Sequence, residues 1–521
     1  MRVIKIFLLF VCCISLDVQS QTFLSDTLGI NEDGSVIIAK SLALPGWILG
    51  VDVDSTDNLL FIRYRNLSKN ETSLKNKGGI SVYSLADQRM LWQRPVNYFN
   101  QDPKLTSEGV LFVTMGKATS LLDLKTGNEV WKKKKMIPYC VDAKNRMFLA
   151  YKGSYMNGVS NELEGHSLAT GEKMWSRKMS HVYGWNESGL LDDSTRLIVS
   201  DGIHLVHMGN GEGPSYAMPT GASDYKEAVA LGALGVLTGF AAVPTGPKKV
   251  MELVSNVLSD DTVFYVASRE NLFCLDRQLQ PKWGYPIPDG MGSRSHLFAR
   301  GDSLYMINMG TGYRNTIFDT SEAYAHEYLR LKVGWPFIAC FDKRKGEKVW
   351  FRQLSDKKEM VEEFDINWEE DALMVLFSDH IRKYSLSGDS LLSEVSWNTE
   401  VNGKLLYLTN SSYFLQDFED STSYQRYKRP DSIYCLVTDK NEMVELDQQL
   451  NVLQTYPLSR LRPFRDLPNG DNLIFLGDKT LWVNSKGEKK AYLHTSSKMF
   501  RVGEKFFIYS LDGKKIYEFP L

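Results

Sequence analysis

The sequence predicts an all-β fold: a single large β-propeller of four-stranded blades, eight or more. Three observations predict it. A strand–turn–strand unit ending in Trp returns along the chain, clearest at 121–131, 165–175 and 339–350 and weaker at 82–92 and 273–283. Neighbouring copies are spaced 39 residues (Trp92 to Trp131) to 47 residues (Trp350 to Trp397) apart, the length of a blade. Two further apolar runs precede each unit, making four short strands per repeat, as in 139–142 and 146–151 before Trp175.

The first element is an address. Arg2 and Lys5 precede a short apolar run, Ile6 to Leu16, and Val18 and Ser20 are small enough for cleavage before Gln21. The run is too short to span a bilayer. This implies a secreted or periplasmic chain after signal peptide cleavage near Ser20. A lipid anchor on Cys12 or Cys13 fits less well, because the run before them is brief and Phe10-Val11 is bulky.

Residues 21–521 form the propeller. Each unit carries its own physics. Alternating apolar residues make a strand with a buried face. Thr-Gly or Lys-Gly supplies a tight turn, since Gly accepts positive φ. Trp on the returning strand is an apolar plate able to fill the gap between sheets. Degenerate copies end near Trp397, Tyr456 and Tyr492. The chain finishes with three strands, starting at Lys498, Lys505 and Lys514, and lacks a fourth. The lone N-terminal strand 35–42 is expected to complete that last blade and remove an exposed edge.

Composition narrows function. Hydrophobic residues are 43%, charged residues 24%, and the net charge is −2 with no strongly basic half, so nucleic-acid binding is not expected. Beyond the first twenty residues stand Cys140, Cys274, Cys340 and Cys435, none in a CxxC pair, and the last three lie in apolar strands as small buried hydrophobes. The eight histidines are scattered, and His204 and His207, three apart on a strand, point to opposite faces. No metal site and no catalytic residue is expected. The acids Glu362, Glu363, Asp365, Glu369, Glu370 and Asp371 read as a solvated face rather than a glycosidase pair. Lys132 to Lys135, on the expected outermost strand, read as protection against edge pairing. Asn66, Asn70, Asn186 and Asn410 head N-glycosylation patterns that matter only in a eukaryotic source.

The run Leu-Asp-Leu-Lys-Thr-Gly-Asn-Glu-Val-Trp, 122–131 with the preceding Leu121, resembles the tryptophan-docking repeat of PQQ-like β-propellers. That superfamily includes quinoprotein alcohol dehydrogenases and the outer-membrane assembly lipoprotein BamB. The resemblance implies that Trp92, Trp131, Trp175, Trp283 and Trp350 pack structurally between blades. The dehydrogenase branch has an adjacent Cys-Cys disulfide beside its quinone and a calcium site of Glu, Asn and Asp. Here the adjacent pair is Cys12-Cys13, within the address, and Asp365-Ile366-Asn367 is a poor match to the calcium site. No cofactor is therefore expected.

One segment, 221–255, breaks the pattern. Ala228 to Pro247 is twenty residues without a charge. On a helix, Ala228, Gly232, Gly235, Gly239 and Ala242 form one small-residue stripe, with Leu231, Leu234, Leu237 and Phe240 toward other faces. Three readings stand: an insertion packed on the propeller, a docking element for a protein or a membrane surface through 228–243, or a membrane span. Pro244 and Pro247 shorten the usable helix and weigh against the span. A second insertion, Thr311 to Gly334, could line the same face. The expected function is a non-catalytic scaffold binding envelope or secreted proteins. A quinone-dependent oxidoreductase with an atypical site and a carbohydrate-binding propeller are the alternatives.

Overall fold

In the computed structural model, the described residues are 22–521 apart from 71–72, 116, 155–157, 180–186, 200–201, 218–248, 252–254, 269, 318–325, 333, 389, 410–412, 417–423, 428–429, 431–432, 478, 496–497 and 511–512. The address and the apolar stretch from Ala228 to Pro247 lie outside them.

The described chain is a propeller of antiparallel four-stranded blades. In chain order they are blade 1 (47–97), blade 2 (101–134), blade 3 (136–178), blade 4 (187–217), blade 5 (258–286), blade 6 (295–353), blade 7 (363–396), blade 8 (405–457), blade 9 (464–493) and blade 10 (498–519). Blade 10 has three strands of its own and takes Val36–Ala43 as its fourth, with Ser41 opposite Tyr517 and Leu42 opposite Ile516.

Inner strands read as unbroken apolar runs because both their faces are buried. In Met147–Ser154, Phe148 and Ala150 join Trp131 between blades 2 and 3. Met147, Leu149 and Tyr151 join Trp175 between blades 3 and 4. Side chains alternate across a strand, so one strand feeds two cores. Val263–Ala267 and Ala372–Leu376 divide in the same way. The sequence of such cores runs round the molecule and closes on itself: Leu42, Ile48, Leu60, Phe507 and Ile516 pack together between blades 10 and 1.

Closure uses more than the expected lone strand. Leu24–Asn31 forms a hairpin with Val36–Ala43 and pairs on its other side with Lys489–Leu493 of blade 9. Blades 9 and 10 thus share one nine-stranded sheet. Gly29 permits the junction: a Cβ there would stand 2.2 Å from the Tyr492 carbonyl oxygen.

A further insertion, beyond the two the repeat pattern exposes, leaves blade 8 after its first strand. Tyr413–Gln416, Tyr424–Tyr427 and Leu461–Arg462 form a three-stranded sheet. It lies between blades 8 and 9, packing Leu415 on the side of Cys435 and Phe414 on the side of Ile474.

Candidate functional site

The turn between strands three and four is where the repeat motif acts. In blade 3, Gly171 has φ +67° and donates its N–H to the Ser167 carbonyl at 2.8 Å. Its bare Cα lies against the indole of Trp131 from blade 2, and a Cβ would come within 2.6 Å of the ring. The Trp131 Nε1–H donates to the Leu168 carbonyl, three residues before that glycine, at 2.9 Å. Trp92 meets Gly127 and Leu124, and Trp175 meets Gly211 and Met208, in the same way. Each Trp therefore sits on the turn of the following blade.

Trp283 lies on Gly346 but its Nε1 has no hydrogen-bond partner. The equivalent carbonyl, on Lys343, accepts from the Tyr265 hydroxyl instead, at 3.2 Å. Trp350 packs edge-on against Tyr305, and Gly388 in the next blade has nothing within contact of its missing Cβ. Trp92, Trp131, Trp175 and Trp283 each lie on a glycine of the next blade's turn, whereas Trp350 packs beside the core shared by blades 6 and 7 without one.

A β-bulge precedes these tryptophans, and the residue sequence carried no sign of it. Leu121 faces Trp131 while Leu122 faces Glu129, so Val130 is skipped. Met174, Lys282, Val349 and Leu91 are skipped likewise. The slip turns the Trp inward and leaves its neighbour outside. Val349, 64% exposed, shows the effect most strongly.

The two faces of the disc differ. In an antiparallel blade, turns one-to-two and three-to-four share an end, and turns two-to-three and blade-to-blade links share the other. Apart from the blade 8 insertion, connections at the first end are two to seven residues long. The two long insertions at the second end are 218–257, between blades 4 and 5, and 309–336, within blade 6. They meet: Lys249–Met251 pairs with Thr311–Ile317, which pairs with His326–Lys332, and Val250 stands opposite Arg314. Ala228, Leu231, Gly232, Leu234, Gly235, Leu237, Gly239 and Phe240 lie outside the described residues, but the segment carrying them ends in this shared sheet.

Other residues singled out by type take ordinary places. Glu370 pairs with Lys383 at 3.0 Å, and Asp371 accepts from Ser385 and from the Ser387 N–H, both at 2.9 Å. Burial pulls the Asp371 carboxyl up, yet those bonds outweigh it and hold the group below its usual range. His204 is buried, with Nδ1 2.8 Å from Ser215 Oγ, and His207 is exposed. Lys132 to Lys134 lie on the outermost strand of blade 2. Cys274, Cys340 and Cys435 are buried free thiols, and burial pushes Cys274 up to about 11. Among the described residues, no helix is long and apolar enough to cross a membrane.

Closed packing, four-stranded blades and Trp-on-glycine docking define the class: a large β-propeller built from tryptophan-docking repeats. Residues 50–280 match the family model described as outer membrane protein assembly factor BamB. Solved structures similar to it include BamB from Moraxella catarrhalis, 11% identical with a TM-score of 0.31, over 90% of this chain and 100% of that one. Apo AztD from Citrobacter koseri is 10% identical with a TM-score of 0.31, over 74% and 92%. A eukaryotic initiation factor is 10% identical with a TM-score of 0.34, over 95% and 98%. No curated protein matches the chain.

Proposed function

We propose that the protein is a non-catalytic scaffold of the cell envelope, exported by residues 1–20, whose insertion-bearing face holds a protein partner. One observation carries this reading: two long insertions from separate blades leave the same face and join in one sheet. A rigid ring costs little to order, and irregular segments mounted on it are suited to recognition. The family matched by 50–280 is described as an outer membrane assembly factor, which supports an envelope location and a protein partner. The run from Ala228 to Pro247 carries no charge in sequence, a composition suited to contact with an apolar partner surface.

Site-specific photo-crosslinking in intact envelopes tests the reading. Probes at Phe99 and Trp335, exposed on the insertion-bearing face, should give discrete adducts with one protein species. Probes at Lys125 and Arg344, in turns of the opposite face, should give none. Adducts from the opposite face alone would overturn the assignment, and adducts from neither face would overturn the partner itself.

A further inference from the structure

Among the described residues, Glu359, Asp379 and His380 are the one group of His, Cys, Asp and Glu side chains compact enough for a metal ion. Each brings a donor atom within 4.8 Å of the others. Glu359 lies in the link from blade 6 to blade 7. Asp379 and His380 lie at the turn between the second and third strands of blade 7. All three therefore sit on the insertion-bearing face. The link is held at the root of the second insertion: Val361 N–H donates to the Met309 carbonyl at 3.0 Å, and a Cβ on Gly310 would stand 2.1 Å from the Glu359 carbonyl oxygen.

The His380 ring is fixed in place. Phe377 stacks on it, with centroids 4.2 Å apart and planes 12° apart. Its Nδ1 lies 2.7 Å from Asp379 Oδ1. Donation of an Nδ1 proton to that carboxylate leaves a lone pair on Nε2, the arrangement of a metal-ligating histidine with its orienting carboxylate. Nε2 faces Glu359 Oε1 across 3.8 Å. Both atoms are buried without a hydrogen-bond partner, in residues only 9% and 6% exposed. Two acceptors facing each other away from water are costly unless something positive lies between them. Lys357 does not fill that role, since its Nζ lies 3.4 Å from the other Glu359 oxygen.

We propose that His380 Nε2 and Glu359 Oε1 bind a divalent transition ion of the zinc type, with Asp379 orienting the imidazole. Mixed nitrogen and oxygen donors suit such an ion. Tetrahedral zinc at about 2.1 Å from each donor sets them about 3.4 Å apart, so the pair need close by only about 0.4 Å. Water completes the shell from the side of Asp379, whose side chain is half exposed.

The test uses the folded chain 21–521 and zinc alone, in competition with a chromogenic chelator. One equivalent should bind, and zinc should raise the melting temperature. His380→Gln and Glu359→Gln should each weaken binding at least tenfold, and Asp379→Asn by about tenfold. His207→Gln, an exposed histidine elsewhere, should change nothing. Absence of stoichiometric binding, or binding undiminished in His380→Gln and Glu359→Gln, overturns the proposal and makes the pair an imidazolium held between two carboxylates. Should those variants fail to fold, X-ray absorption of the zinc-loaded wild type decides. A shell with one imidazole and oxygen ligands supports the site; a shell containing sulfur, or none but oxygen, overturns it.

Discussion

A glycine that carries a neighbouring blade's tryptophan does two jobs. Gly171 holds φ +67° and leaves room for the Trp131 ring, whereas Gly301 holds φ +58° with nothing near its missing Cβ. Gly301→Ala should therefore cost about 1 kcal/mol, from backbone strain alone. Gly171→Ala adds overpacking and should cost about 2–4 kcal/mol. Urea unfolding of the two variants checks the difference, and equal losses would remove the docking role. The indoles make a second comparison. Trp131 donates to a carbonyl and Trp283 does not. Trp131→Phe should exceed Trp283→Phe in cost by about 1 kcal/mol, the net worth of a buried hydrogen bond. At this scale the sequence was legible where residue type does the work: Trp as plate, Gly as turn, Cys274 as buried apolar filler. It was silent on the bulge beside each Trp, because a register slip has no residue of its own. It was equally silent on Glu359 and His380, which only the fold of blade 7 brings together.

Among the elements, the closure hairpin has the clearest electrostatics. Asp26 lies on its outer strand and binds Lys515 of blade 10 at 2.6 Å, with Ser41 adding a second bond at 3.1 Å. The Lys515 bond holds the Asp26 carboxyl below its ordinary 3.8, and Asp26 in turn raises Lys515 above 10.5. The depressed carboxyl stabilises the fold above about pH 4 and loses that effect as pH falls through its lowered value. The raised ammonium loses its share as pH climbs past 10.5. Asp26→Asn should therefore be less stable than wild type at pH 7, by about 0.5–1 kcal/mol for so solvent-screened a pair. The two should converge in acid, and a gap that persists at pH 2 would assign the loss to packing. Gly29→Ala should lift the hairpin from blade 9 and speed amide exchange across Leu24–Asn31, leaving blade 5 unchanged. The strand Val36–Ala43 was legible from its apolar run and from the three-stranded C-terminus it completes. Leu24–Asn31 was not, because its sequence LSDTLGIN has neither an apolar run nor clean alternation. The small sheet of Tyr413–Gln416 and Tyr424–Tyr427 escaped for a similar reason: four-residue strands with no Trp carry too little period to read.

The whole molecule is a ring whose ends hold each other. Its stability is shared between neighbouring blades through cores such as that of Leu42, Tyr83 and Phe507, so an open ring would expose two sheet faces and two edges at once. The proposed function draws on that closure: two insertions are joined over a closed ring, with the Glu359–His380 pair at the root of one of them. Which protein the proposed scaffold would hold was not legible in the sequence. Repeats record how blades pack, and the segments that would meet a partner are the ones that leave the repeat.

Hydrogen exchange followed by mass spectrometry, on the folded chain 21–521, tests the closed ring most directly. Val36–Ala43 and Lys515–Phe519 should be protected together, and to the same degree as the inner strand Val263–Ala267. Rapid exchange across Val36–Ala43 while Lys515–Phe519 stays protected would contradict closure and leave blade 10 with a free edge.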